Sequence, residues 1–272
     1  MESELEKILA LSREMAKQAG EVLLHFRREG ANVRSKSDGD GPSYDLVSDA
    51  DIASERLLGQ LISDAYPGHE ILGEEEYRGD SSAEHLWVID PLDGTNNYAH
   101  SVNHFAVSIG YLRAGQPTAG VVYNPASGDC YHAAVGSGAF RNDQPIRVDP
   151  ANSLDQVLIG CGFYYDRGEI MRRTLGVIEE LFGKNIHGIR RWGTASLDLC
   201  AVADGQFGGF FEYQLSPWDV AAGRLIVTEA GGLITNASGG PIPMEQSSVV
   251  AGSPEIHSIL QEMVQRHQRS ES

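Results

Sequence analysis

The chain has 272 residues, and 38 Asp and Glu against 21 Lys and Arg give it a formal net charge of −17. That balance argues against nucleic acid or an acidic membrane surface as the main partner, since both are held by clustered basic side chains; no apolar run approaches the length that spans a bilayer. The length exceeds a typical single core and predicts two domains, or two halves sharing an interface.

Glu2, Glu4 and Glu6 open the chain in place of a basic segment followed by an apolar core, so no secretory signal is expected. Cys130, Cys161 and Cys200 are widely spaced and odd in number. They read as reduced, buried thiols of a cytoplasmic protein rather than a disulfide framework or a zinc site.

Leu5, Ile8, Leu9, Ala16, Ala19, Val22, Leu23 and Phe26 recur at helical spacing and Gly30 supplies a stop, which predicts an amphipathic helix from about Glu4 to Glu29. Ser35 to Ser43 is polar and turn-forming and predicts an exposed loop. Its Asp38 and Asp40 do not make a calcium loop, because Ser43 and Asp49 stand where Gly and Glu are required. A second helix is expected from about Asp51 to Ala65, turning Ile52, Leu57, Leu58, Leu61 and Ile62 inward. Short runs at Ile71–Leu72, Trp87–Ile89, Phe105–Tyr111, Ala119–Tyr123, Cys130–Ala134 and Ala139–Phe140 predict a largely antiparallel sheet.

After about Asp149 the pattern becomes strands alternating with helices. Strands are expected at Val157–Ile159, Phe210–Phe211 and Val249–Val250, with helices near Ile170–Phe182, Ser196–Ala203, Pro217–Ala230 and from Pro254. The chain thus divides into an α+β part over residues 1–149 and an α/β part over residues 150–272.

The stretch Trp87-Val88-Ile89-Asp90-Pro91-Leu92-Asp93-Gly94-Thr95 carries the most chemistry. Pro91 and Gly94 are expected to stop the apolar run, so that Asp90 and Asp93 fall in a loop at the carboxyl end of a strand, where the crevices of α/β sheets lie. Thr95 is expected to act as the N-cap of the next segment, and the amides around Gly94 and Thr95 suit an anion. Two carboxylates beside an anion seat call for cations between them. An acidic chain can therefore still take a phosphorylated substrate, through divalent ions that reverse the local field.

Asp90-Pro91-Leu92-Asp93-Gly94-Thr95 resembles the signature of the inositol monophosphatase family, lithium-sensitive and magnesium-dependent phosphatases of small phosphorylated alcohols. Three further segments carry the resemblance across the chain: Gly73-Glu74-Glu75, Asp45 to Asp51, and Trp218-Asp219-Val220-Ala221-Ala222-Gly223 followed by Thr228 to Gly232. Taken singly, Glu74 to Glu76 could be a solvated charge run, and Asp219 and Asp51 could each serve a helix start. Taken together, the acids a metal cluster would use fill the four matching places. Side chains of this kind about 4 Å apart repel by roughly 4 kcal/mol at an effective dielectric of 20, and cations remove that cost. No His or Cys grouping suggests zinc, so magnesium is the expected ion.

The resemblance implies a layered αβαβα sandwich of the sugar-phosphatase type, with an antiparallel-rich first sheet and a mixed second sheet. It implies two or three Mg2+ ions per site, one on Glu74, Asp90 and the carbonyl of Leu92 and another on Asp90, Asp93 and Asp219. Thr95, Asp51 and Glu74 take the catalytic roles and Gly94 and Thr95 bind phosphate. Asp93, Ala195 of the Arg191 to Ser196 segment, and Glu212 contact a polyol. The expected reaction is hydrolysis of inositol 1-phosphate by activated water, in a cytoplasmic homodimer that binds neither nucleic acid nor membrane. Fructose-1,6-bisphosphatase, histidinol-phosphatase and adenosine 3′,5′-bisphosphate phosphatase activities stand as alternatives, and so does a regulator that binds transcription machinery. Lys36 aligns only approximately with a family lysine, because the stretch Asp38 to Gly41 is longer than usual, and Ser101 to His104 departs from the commoner aromatic-Pro run. Gly136-Ser137-Gly138 lacks the third glycine of a dinucleotide loop, and no Walker lysine or nucleophile elbow is present.

Overall fold

A computed structural model describes residues 4–30, 33–35, 46–164 and 167–269. The elements run α1 (Glu4–Glu29), β1 (Val33–Ser35), β2 (Leu46–Ser48), α2 (Asp49–Ala65), β3 (Glu70–Gly73), β4 (His85–Asp93), α3 (Thr95–Ala99), β5 (Ala106–Arg113), β6 (Gln116–Asn124), β7 (Asp129–Ala134), β8 (Ala139–Arg141) and β9 (Gln144–Ile146). They continue with β10 (Leu158–Cys161), α4 (Glu169–Gly183), β11 (Gly188–Arg190), α5 (Ala195–Ala203), β12 (Gly209–Leu215), α6 (Pro217–Glu229), β13 (Leu233–Thr235), β14 (Ser247–Gly252) and α7 (Pro254–Arg269). Of the loop expected over 35–43, Ser35 ends β1; Lys36, Asp38 and Asp40 lie outside the described residues.

Two sheets carry the architecture. Strands β3 to β9 form a seven-stranded sheet in sequence order, antiparallel except for the parallel β3–β4 pair. The five-stranded sheet, in the order β11-β10-β12-β14-β13, is mixed: β10 runs parallel to β11 and β12, and β14 antiparallel to β12 and β13. Helices α1 and α2 cover one face of the first sheet, α5 and α6 lie between the sheets, and α4 and α7 cover the far face of the second. The result is the αβαβα sandwich. Each interlayer space holds its own apolar core: Met15, Leu58, Trp87 and Ile109 in the first, Leu199, Phe207, Phe210 and Ile226 in the second, and Val177, Phe211, Leu260 and Met263 in the third. Alternation along the strands makes this possible, since Phe210 and Phe211 are neighbours in sequence and face different cores.

Two elements differ from their expected form in ways that bear on the site. Helix α2 turns Ala50, Asp51, Ser54, Glu55, Leu58, Gly59 and Ile62 inward, whereas Ile52 and Leu57 are only half-buried. Three polar side chains displace the expected apolar face because Asp51 caps its own helix through Ser48, while Ser54 and Glu55 satisfy backbone groups of β4 and of the loop after β3. Strand β4 does not stop before Pro91. It runs on to Asp93, with the ladder shifting from Asp90 opposite Ser108 to Asp93 opposite Ala106. The extra residue is a bulge, and Pro91 is tolerated there because a bulge leaves a position without a ladder bond.

Helix α6 sits unusually close to the first sheet. Gly110 and Gly120 are directly paired across β5 and β6. A Cβ on Gly110 would lie 2.8 Å from the Ala221 Cβ, and one on Gly120 would lie 2.9 Å from the Ala222 carbonyl oxygen. The obstruction is helix backbone and its Cβ, which cannot move aside as a long side chain can. Gly120→Val is therefore expected to destabilise the protein by about 1–3 kcal/mol through overpacking. Thermal denaturation measures this, and an unchanged melting temperature would contradict this seating of α6.

Candidate metal centre and substrate cavity

The bulge in β4 brings Asp90 and Asp93 to one end of the first sheet, and the start of α6 brings Asp219 to meet them. Each spends an oxygen on a nearby backbone amide. Leu92 N donates to Asp90 Oδ1 at 3.0 Å, Ser196 N to Asp93 Oδ2 at 2.7 Å, and Ser216 N to Asp219 Oδ2 at 2.7 Å. The last bond is half of a capping box on Ser216, with Pro217 in the first turn of α6. Among the described residues these three carboxylates offer oxygens that all lie within 4.8 Å of one another.

Burial and mutual repulsion make the cluster costly when ionised. Burial, then the charges of Glu74, Asp93 and Asp219, raise Asp90 well above the usual carboxylate range. Burial, then Asp93 and Glu74, do the same to Asp219, and burial pushes Asp93 up to about 6 against the pull of Ser196. None of the leading influences on these three is a basic side chain. Oxygen donors converging without an internal counter-charge fit a hard divalent cation such as Mg2+ or Mn2+.

Glu74 lines the same cavity from the loop after β3, and the buried Glu55 and the exposed Arg78 hold that loop. Glu55, fully buried beneath it, accepts from Glu75 N at 2.9 Å and Glu76 N at 2.6 Å. A Cβ on Gly73 would lie 2.0 Å from Glu55 Oε1, so only glycine admits this carboxylate. Arg78 donates to the carbonyls of Gly73, Glu74, Glu75 and Tyr77. The three consecutive glutamates are thus not a uniform solvated run: Glu76 is exposed and paired with Arg56, whereas Glu74 and Glu75 are half-buried.

Asp51 and Thr95 meet. Thr95 Oγ1 lies 3.2 Å from Asp51 Oδ1 and 3.2 Å from the Leu92 carbonyl, its single proton shared between them. Asp51 is completely buried, accepts from Ser48 N at 2.8 Å and from the Ser48 hydroxyl, and is pushed up to about 7 by burial, with Glu74 and Glu75 adding to the shift. Thr95 is the first residue of α3 rather than its cap. Gly94 takes the cap position at φ 92°, a left-handed conformation, and a Cβ there would lie 2.4 Å from Thr194 Oγ1.

A cavity of about 290 Å3 extends from the acids to the second sheet. Its walls include Gly94, Thr95, Ala195 and Glu212, together with Gly162, Arg191 and Asp198. Asn97 ties the two sides together, its Nδ2 donating to the carbonyls of His104 and Trp192 at 2.8 Å and reaching Thr194 Oγ1 at 3.2 Å. The unusual Ser101 to His104 run has a structural counterpart: the His104 ring packs edge-on to Trp192 with centroids 5.1 Å apart, and burial lowers it to about 4. Glu212, buried, is pushed up to about 8 by that burial. A Cβ on Gly162 would lie 1.7 Å from Glu212 Oε2, so that glycine makes room for the carboxylate.

Glu74, Asp90, Leu92, Asp93, Gly94, Thr95, Ala195, Glu212 and Asp219, all expected at the site from the sequence, line this one cavity. Asp51 stands behind Thr95. Glu55, Arg78, Asn97, Asp198 and Arg191 join them without having been expected. A signal for Glu55 is present in the sequence, since residues 51, 54, 55, 58 and 62 share one helical face with Leu58 and Ile62. For Asn97 no sequence signal exists, because Trp192 and Thr194 lie on a remote segment.

The sequence profile of the inositol monophosphatase family matches residues 4–271. An inositol-1-monophosphatase of Rhizobium meliloti is 43% identical over 229 residues, covering 83% of this chain and 85% of its own. A putative Nus factor SuhB of Neisseria meningitidis serogroup B is 40% identical over 253 residues, covering 93% and 95%. The solved inositol monophosphatase of Anabaena (Nostoc) sp. superposes with a TM-score of 0.85 at 36% identity, over 97% of each chain. The chain belongs to the inositol monophosphatase family and is a phosphoric monoester hydrolase.

Proposed function

We propose that the protein hydrolyses the phosphate monoester of a small polyol, inositol 1-phosphate foremost, with Mg2+ as its ion. The observation that carries this reading is the convergence of Asp90, Asp93 and Asp219 within 4.8 Å, next to the Thr95–Asp51 pair. In this reading Glu74, Asp90 and the Leu92 carbonyl hold one ion and Asp90, Asp93 and Asp219 a second, with a third near Glu74. Residues 1–149 supply most of these groups, and residues 150–272 supply Asp219 and the polyol contacts. When bound, such ions neutralise the phosphoryl oxygens, acidify the attacking water and stabilise the departing alkoxide.

The residues of the chain account for the remaining steps. The first amides of α3, at Gly94 and Thr95, have no carbonyl within the helix to pair with and present donors to the phosphate. Thr95 Oγ1, with its own proton directed to Asp51 and Leu92, turns a lone pair to the attacking water. Asp51, with a pKa near neutrality, takes up the proton through Thr95 as the new P–O bond forms in line with the breaking ester bond. Ala195 on α5 and Glu212 on β12 meet the polyol; a carboxyl that burial pushes up to about 8 can donate to one hydroxyl and accept from another. The resemblance carries with it a cytoplasmic homodimer and sensitivity to lithium.

A second reading has one observation in its favour: a relative of 40% identity is named a putative Nus factor, and the chain carries net charge −17, suited to a basic protein partner. Asp93→Asn separates the two. Loss of turnover with folding intact supports the enzyme, and a pull-down that survives the same substitution supports the regulator.

The experiment that tests the main reading is turnover of a panel of phosphorylated inositols, sugars, histidinol and adenosine bisphosphate with Mg2+, with chelator and with lithium. Inositol 1-phosphate is expected to lead, chelator to abolish turnover, and Asp51→Asn to lower kcat by about 10²-fold or more. Turnover that ignores chelator would contradict the proposal.

The electrostatics of the cluster give a stability test. In the metal-free protein the folded-state carboxyls titrate above their unfolded values, Asp93 at about 6 and Asp90 and Asp219 well above the ordinary carboxylate range, so the folded state binds more protons from about pH 4 up to those folded values. Stability therefore falls as pH rises through that window. Asp90→Asn removes one charge at constant shape and is expected to stabilise the metal-free protein by about 1–3 kcal/mol at pH 7.5, with the gain shrinking toward pH 5. It should also abolish stabilisation by Mg2+. Urea denaturation at the two pH values decides, and a destabilised metal-free variant would count against the repulsive cluster.

A further inference from the structure

Helix α5 is buried along its whole length, and every residue from Ala195 to Ala203 is shielded from solvent. Position 198 would be expected to carry an apolar side chain like its neighbours Leu197 and Leu199. It carries an aspartate, 1% exposed, whose Oδ1 is buried without a hydrogen-bond partner. A buried carboxylate oxygen left in this state is costly and calls for a partner that arrives from elsewhere.

The surroundings restrict what that partner is. Asp198 lines the same cavity as Glu212 and Arg191 and interacts electrostatically with both. It is not one of the converging acids Asp90, Asp93 and Asp219. Arg191 is exposed, and no salt bridge joins it to Asp198 at 4.0 Å or less among the described residues. Hydroxyl groups at this place would meet two acceptors.

We infer that Asp198 is a specificity-determining residue whose carboxylate, together with Glu212, accepts hydrogen bonds from hydroxyl groups of the phosphorylated polyol. This rests on the phosphatase reading above and sharpens it: Asp198 makes the site read the hydroxyl groups of the skeleton that carries the phosphate. Burial and the charges of Asp93 and Glu212 hold Asp198 well above the ordinary carboxylate range. A carboxyl that retains its proton can donate to one hydroxyl while accepting from another, which suits neighbouring hydroxyls on a ring.

The test compares wild type, Asp198→Asn and Asp198→Ala on two esters: the polyol monophosphate that the wild-type enzyme turns over best, and p-nitrophenyl phosphate, which has no hydroxyl groups. For the polyol ester both variants are expected to lose on the order of tenfold in kcat/KM, carried by KM, as for removal of a hydrogen bond. For the aryl ester kcat/KM should stay within about twofold. Thermal melting of each variant accompanies the kinetics. Equal losses on the two esters, an unchanged KM for the polyol ester, or failure of both variants to fold overturns the inference and makes Asp198 a structural residue. Failure of the parent reading looks different: the wild-type protein with Mg2+ would then turn over neither ester.

Discussion

Repulsion among Asp90, Asp93, Asp219 and Glu74 is the constraint around which this molecule is arranged. Like charges a few ångströms apart in a buried site drive one another apart or take up protons, unless the fold holds them and a cation neutralises them. Here the fold holds them from several directions. A bulge around Pro91 fixes the spacing of Asp90 and Asp93 within a buried strand, and a backbone amide of α5, the helix between the sheets, grips Asp93. Asp219 is locked by its capping box at the start of a helix that two paired glycines allow to lie against the first sheet. The apolar cores between the layers supply the stability against which this local strain is set.

A layer of polar residues behind the acids is as much a part of the arrangement as the acids themselves. Glu55 and Arg78 fix the loop that carries Glu74, Ser54 donates to the Pro91 carbonyl at 3.0 Å, and Asn97 bonds α3 to the loop that leads into α5. Supporting groups of this kind set how well a ligand is oriented toward a metal. The same logic extends to the second sheet, where Gly162 yields space to Glu212, and the buried Asp198 faces the cavity beside it.

Much of this is legible in the sequence, for reasons that differ from element to element. Helices α1, α4 and α7 announce themselves because one face of each packs on a sheet and the other meets solvent, so hydrophobic periodicity is clear. Helix α5 is buried on all sides and offers no such period, although its apolar run marks it. Short strands such as β1, β9, β11 and β13 escape sequence reasoning, since three residues carry too little pattern. The acids are legible because metal chemistry leaves little choice of side chain and the turns around them are spelled by Pro and Gly. The inward face of α2 differs from expectation because propensity and hydrophobicity both ignore carboxylates that serve a distant loop. The bulge at Pro91 differs because proline usually ends a strand, and only the pairing with β5 shows that it is accommodated. Asn97 acquires its meaning through Trp192 and Thr194 on a remote segment, and Asp198 through the cavity that the fold builds around it, which no local pattern records.

The most direct measurement is diffraction from crystals grown with Mn2+ and inorganic phosphate, using the anomalous signal to place the ions. The account predicts peaks bounded by Asp90, Asp93 and Asp219, with Glu74 and the Leu92 carbonyl in reach of one of them and phosphate against the start of α3. Anomalous peaks elsewhere, or none at this cluster with the acids splayed apart, would contradict the claim that the fold exists to hold repelling carboxylates for shared cations.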